Sequence, residues 1–295
     1  MKKSLVAACV ITLIISVAGT VLVCDHLFDL SGRSDFSDKA ILGTLSSKVL
    51  DEEREMIVHL PESYAREPER RYPVIYVLDG SSQDSHTAQS AALMARIGVM
   101  PELIVVGLPN VSGEGRQRDY TPPFMVQDLE VPDSPMGEAD RFLSFLETEL
   151  IPKIESEYRT APFRMLAGHS RGGLLVTYSL LADPELFDVR FIHSAPLWRE
   201  DAVLVTKLAE FLKARKDFDG FLYLSIGSLE NENITAAHHQ ARSVLTTAKL
   251  ARFRWHADVV EGADHQHNGA MATPQGFKAL YQNWSAGAGT GMAHR

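Results

Sequence analysis

Arg164-Met165-Leu166-Ala167-Gly168-His169-Ser170-Arg171-Gly172-Gly173-Leu174-Leu175 decides how the rest of the chain is read. A short apolar run leads into Gly-x-Ser-x-Gly, and an apolar helical run follows. With a strand before it and a helix after it, this pattern forms a sharp nucleophile turn. Such a turn leaves no room for side chains at its flanks, hence glycine at 168 and 172, and it holds the Ser170 hydroxyl exposed. The helix behind it brings partial positive charge towards a developing oxyanion, and the N–H of Arg171 is a candidate donor to that oxyanion.

Outward from this point, strand-like and helix-like segments alternate. Apolar, β-rich runs occupy 56–60, 72–78, 103–108, 164–167, 189–192, 221–226 and 253–260. Helical spacing marks 138–156, 172–181, 201–213, 235–251 and 274–284. The order predicts a mostly parallel central sheet with helices on both faces, of the α/β-hydrolase type. In such sheets ligands bind beyond the carboxyl ends of the strands, so the turns after the strands carry the candidate chemistry.

A serine hydroxyl needs a base, and in this fold the order is serine, acid, histidine. The loop after the last strand holds His265 and His267, either within reach as base. The turn after the preceding strand holds Glu230 and Glu232; Glu230 is nearer the strand end, and Glu232 suits the start of the next helix. Asp264 fits a loop or capping role better. The Asp79-Gly80-Ser81 turn after 72–78 supplies the second oxyanion donor, the N–H of Ser81.

These residues, with Ile57-Val58-His59-Leu60-Pro61, Tyr72 to Gly80, Arg118-Asp119-Tyr120-Thr121-Pro122 and Ser194-Ala195-Pro196-Leu197-Trp198, resemble the esterase-D-like family of esterases. That family includes siderophore esterases, S-formylglutathione hydrolases, feruloyl esterases and, more distantly, mycolyl transferases. The resemblance covers 46–284. It implies an α/β-hydrolase without metal or cofactor, an oxyanion donor at Ser81, and a small-molecule ester as substrate. The family's histidine lies eleven residues before a Gly-Phe helix position; Gly276-Phe277 therefore selects His265. The resemblance does not choose between Glu230 and Glu232, and some relatives work with a Ser–His pair.

The first residues differ from the rest. Lys2 and Lys3 precede an uncharged stretch to Cys24, which reads as a signal peptide or a retained membrane anchor over 1–24. A linker over 25–42, a catalytic domain over 43–285 and a flexible tail over 286–295 complete the layout. The domain is expected outside the cytoplasm, periplasmic or secreted. Both cysteines lie at the leader, so the domain holds neither a disulfide nor a thiol nucleophile. A net charge of −9, without a basic face, argues against nucleic acid.

Three other readings follow from the same residues. An acyltransferase would use the same triad. His238, His239, His265 and His267 with Asp264 offer donors for a metal site, although no H-E-x-x-H pattern is present. A non-catalytic binding module is the third. Arg116, Arg118, Arg171 and Arg199 together would favour an anionic ligand, and Trp198 would line a pocket or pack in the core.

Overall fold

The computed structural model describes residues 40–126 and 133–282. The leader at 1–24, the linker up to 39 and the tail at 286–295 lie outside the described residues. Among those described, no helix is long and apolar enough to cross a membrane.

Eight strands form one sheet: β1 (Ile41–Ser47), β2 (Glu52–His59), β3 (Tyr72–Leu78), β4 (Ile104–Leu108), β5 (Thr160–His169), β6 (Val189–His193), β7 (Gly220–Gly227) and β8 (Phe253–Val260). Their order is β1-β2-β4-β3-β5-β6-β7-β8. β2 pairs antiparallel with β1 and β4, and every other pairing is parallel.

The central strands read as unbroken apolar runs because helices cover both faces. Alternation along β3 divides the core. Val74, Tyr76 and Leu78 join one cluster with Phe142, Phe145 and Leu175, whereas Ile75 and Val77 join another with Met165, Phe191 and Phe277. The second face is closed by α1 (Asp84–Arg96) and α8 (Asn268–Leu280). Helix α2 (Gly113–Tyr120) follows β4. The first face carries α3 (Ala139–Phe145), α4 (Ile151–Glu157), α5 (Arg171–Ala182), α6 (Arg199–Ala214) and α7 (Glu232–Thr247).

The predicted fold class is correct, and the differences have local causes. β1 lies partly in the stretch read as linker; it is an edge strand with mostly exposed side chains, so no apolar run marks it. Helix α1 buries Asp84, Thr87, Ala91 and Met94, of which only Met94 is a large apolar residue, so no helical stripe shows. The helix read over 138–156 is broken by a π turn at Leu146–Leu150. Pro152, just beyond it, lacks an N–H and its ring would crowd the carbonyl four residues back, which a regular helix cannot accommodate. The last helix starts at Asn268, ahead of the predicted 274, and carries Pro274 inside it.

Arg190 on β6 is fully buried, with the Asp183, Asp188 and Glu185 carboxylates near enough to favour its charge but with its hydrogen bonds going elsewhere. Its guanidinium donates to Ser179 Oγ (2.9 Å) and to the carbonyls of Phe187 (2.7 Å), Ser179 (3.2 Å), Asp183 (3.0 Å) and Pro184 (3.2 Å). The carbonyls of Ser179, Asp183 and Pro184 lie at or just beyond the carboxyl end of α5, where positive charge is favourable. Burial lowers its pKa to about 9, so it stays charged at neutral pH. Arg190→Met strands these acceptors and is expected to destabilise the fold by roughly 3 kcal/mol, lowering the melting temperature by about 10 °C. A melt within a degree or two of wild type would contradict the carbonyl-clamp role.

Candidate active site

β5 ends at His169, and α5 begins at Arg171. Ser170 between them has φ 54° and ψ −122°, a strained conformation for a residue with a side chain. Its N–H donates to His193 O (2.9 Å), and its carbonyl accepts from Gly173 N (2.8 Å). The turn closes through the absence of side chains: a Cβ on Gly168 would lie 2.5 Å from the backbone of Gly172.

The loop after β8 carries His265 to this serine, with Nε2 3.0 Å from Ser170 Oγ. Its other nitrogen, Nδ1, is 2.8 Å from Glu230 Oε2, in the turn after β7. Because the carboxylate accepts, Nδ1 carries the proton and Nε2 is left to accept from the serine. The Glu230 side chain is fully shielded from solvent, whereas that of His265 is 38% exposed. Burial alone would raise the Glu230 pKa; hydrogen bonds from His265 and Ser194 outweigh it and hold the carboxyl below the usual range.

Ser170, His265 and Glu230 are thus brought together. The alternatives are elsewhere: Glu232 opens α7, and His267 points away, its Nδ1 paired with Asp264 Oδ1 at 2.7 Å on the exposed side of the loop. Asp264 accepts from the N–H groups of Gln266 and His267, a loop-shaping role. Among the described residues, no three His, Cys, Asp or Glu side chains cluster so as to hold a metal ion, so the histidines considered for a metal centre are not gathered into one.

The oxyanion side differs in part from expectation. Arg171 opens α5, so its N–H belongs to the positive end of that helix. The N–H of Ser81, however, donates to Asp84 Oδ1 at 2.7 Å, and Asp84 Oδ2 is 2.7 Å from His59 Nε2. Ser81 has φ 73°, and the Asp84 carboxylate holds the turn in that shape. The expected donor is therefore engaged by a buried carboxylate that the sequence reading passed over.

Beside the nucleophile lies an open pocket of about 360 Å³, lined by residues of the 79–83 turn with Asn110, Arg116 and His169. Of the four arginines considered for an anionic ligand, Arg116 alone lines it. That guanidinium is paired with Asp79, through Nε–Oδ1 (2.5 Å) and Nη2–Oδ2 (2.8 Å), and Asn110 Nδ2 adds a bond to Oδ1 (2.6 Å). Arg118 bonds Glu52 and Asp119. The buried Arg171 donates to Thr121 Oγ1 (3.2 Å), and Arg199 is buried beside the Trp198 ring. Trp198 packs against the core.

Sequence reasoning also missed His169 and the groups behind Glu230. His169 Nε2 is 2.6 Å from the carbonyl of His265, and the two rings lie 4.8 Å apart. Burial, with the neighbouring His265 imidazole, lowers the His169 pKa to about 4. It is therefore neutral at pH 7 and donates this bond. The position of His169 beside the serine was the available signal, although a single such residue does not announce a partner 96 residues away.

A family profile described as "Putative esterase" matches residues 47–282, and the chain belongs to that family. It is accordingly a carboxylic ester hydrolase of the α/β-hydrolase fold. Ferri-bacillibactin esterase BesA of Bacillus subtilis is 30% identical over 193 residues, covering 60% of this chain and 66% of that protein, just short of two thirds of its length. A siderophore triacetylfusarinine C esterase of Aspergillus fumigatus is 25% identical over 247 residues, covering 72% and 82%. Among solved structures, an IroE-like serine hydrolase from Shewanella oneidensis superposes with a TM-score of 0.75 at 30% identity, covering 83% of this chain and 80% of its own.

Three histidines in and around this site, the buried His193 and His238 and the partly buried His169, are neutral: His169 and His238 have pKa values lowered to about 4 and His193 to about 3, in each case chiefly by loss of solvation. Unfolded, each titrates near pH 6.5. Their folded pKa values lie below the unfolded ones, so between about pH 4 and 6.5 the unfolded chain binds more protons, and stability falls as pH drops through that window. Unfolding near pH 5 should therefore take up about three protons from these sites. Melting temperatures measured from pH 7 down to pH 5 test this. A flat profile would show that the rings are not held neutral.

Proposed function

We propose that the chain hydrolyses esters of the siderophore type through an acyl-enzyme on Ser170. The observation that carries this reading is the unbroken line from Ser170 Oγ through His265 to Glu230, at 3.0 and 2.8 Å. His265 Nε2 takes the serine proton as Oγ attacks the ester carbonyl. The resulting oxyanion is met by the N–H of Arg171 at the positive end of α5. The Ser81 N–H is the second donor, shared with or released by Asp84. His265 then protonates the leaving alcohol. Water attacks the acyl-enzyme, giving its proton to His265, and the serine is restored. Glu230 stays ionised throughout, fixing the tautomer and stabilising the imidazolium.

Two siderophore esterases among the relatives support the substrate class. A polar pocket beside the nucleophile suits a substrate rich in oxygen and nitrogen. Hydrolysis, rather than transfer to a second alcohol, follows the relatives' named activities.

The test is a panel of a trilactone siderophore and short p-nitrophenyl esters, run beside Ser170→Ala, with an added alcohol in one arm to detect acyl transfer. Wild type is expected to open the trilactone, to label with a fluorophosphonate, and to lose at least about 10⁴-fold in kcat in the variant. Equal turnover by the two proteins would remove the nucleophile, and transfer outrunning hydrolysis would make the chain an acyltransferase.

The same reading places the domain outside the cytoplasm, delivered by the charged-then-apolar leader. Fractionation of cells expressing the full chain should recover the esterase in periplasm, medium or membrane; recovery in the cytosol alone would reverse this.

A further inference from the structure

Glu230 has two oxygens, and the triad uses one. The other, Oε1, accepts from the hydroxyl of Ser194, a fully buried residue just beyond β6. The Ser194 hydroxyl in turn accepts from Asn268 Nδ2 at 2.9 Å, and the same amide reaches Ser225 Oγ at 3.1 Å. Ser225 Oγ lies 2.8 Å from His193 Nδ1. Asn268 is fully buried at the start of α8, three residues past His265.

The directions of the bonds around Ser194 can be assigned. The amide nitrogen of Asn268 only donates, so both serine oxygens accept from it. Ser194 then has one proton, which goes to the Glu230 carboxylate. Ser225 Oγ, which also accepts from Asn268, is paired with His193 Nδ1 of a neutral ring. Glu230 therefore receives a proton donor at both ends, His265 at Oε2 and Ser194 at Oε1. A protonated carboxyl would face a donor with a donor at one of them. Ser194 is held in place by its own N–H, which donates to Ser225 O at 2.8 Å, and by a backbone φ of 49°.

We propose that Ser194 and Asn268 are positioning residues of the esterase, orienting Glu230 and keeping it ionised so that it aims its free oxygen at His265. This rests on the triad reading, but it assigns work to two side chains that touch neither nucleophile nor base. It also makes the acid an integral member of the site in this chain, in place of a Ser–His pair working alone.

The test is a double-mutant cycle on the full-length protein, with kcat and KM measured on a p-nitrophenyl ester for Ser194→Ala, Glu230→Gln and the pair together. Ser194→Ala is expected to lower kcat about tenfold with KM unchanged, the loss typical of a hydrogen bond to a charged group. In the Glu230→Gln background the same substitution should change kcat less than twofold, because its effect passes through the carboxylate. A residue that served only packing would give additive losses, and additivity overturns the proposal. So does a Ser194→Ala enzyme within twofold of wild type. Should Ser194→Ala not fold, Asn268→Leu, of similar volume and without a donor, runs through the same cycle with the same outcomes. Full turnover by Glu230→Gln would also overturn it while leaving Ser170 as nucleophile, which the serine variant and the fluorophosphonate test separately.

Discussion

The site depends on how closely the backbone of β5 approaches the backbone of α5. The chain reverses from strand to helix in a few residues, and this is sterically possible because nothing projects from Gly168 towards Gly172. A second close approach anchors the helix: a Cβ on Gly173 would come within 2.6 Å of Ala195 Cβ. These contacts set the position of Ser170 more firmly than any hydrogen bond to its side chain. The strain at its φ of 54° is held by the sheet and the helix together. The hydroxyl is therefore presented in one place before any substrate arrives, the kind of preorganisation on which catalysis by fixed dipoles relies.

Electrostatics around the serine is arranged by burial as much as by charge. The acid is shielded yet ionised because it collects two donors, whereas His193 and His238 are shielded and neutral because burial penalises their charged form. The base is left partly exposed, where a proton can be exchanged with an incoming alcohol or water. The Asp79–Arg116 pair beside the pocket follows the same logic: both charges are satisfied within the protein, so the pocket is polar without a dominant charge. The Asp84 carboxylate on the Ser81 N–H adds a local constraint on the N–H proposed as second oxyanion donor.

The fold and the three central side chains were legible in the sequence because each has a local signature. Apolar runs alternate with helical ones, glycines flank the serine, and the acid and the base follow strand ends in the order the fold requires. Glu230 could be separated from Glu232 only by its distance from the end of β7, and the structure follows that distance. What was not legible depends on contacts between distant segments. Ser194 belonged to a recognisable Ser-Ala-Pro-Leu-Trp stretch, but a serine after a strand says nothing of a carboxylate 36 residues later. Asn268 looked like an ordinary residue following a loop. Asp84 occupied a helix that its own composition concealed, and β1 was hidden because an edge strand needs few apolar residues.

The bond from His169 to the backbone of His265 has one more consequence. The nucleophile and the base are delivered by β5 and β8, which are separated in the sheet by β6 and β7, so flexing of the sheet would move them independently. His169 is the immediate neighbour of the serine and grips the main chain of the base directly. Displacements of the two loops are thereby coupled into a common motion, in which the pair shifts as a unit and the spacing between oxygen and imidazole is conserved while the surrounding framework breathes.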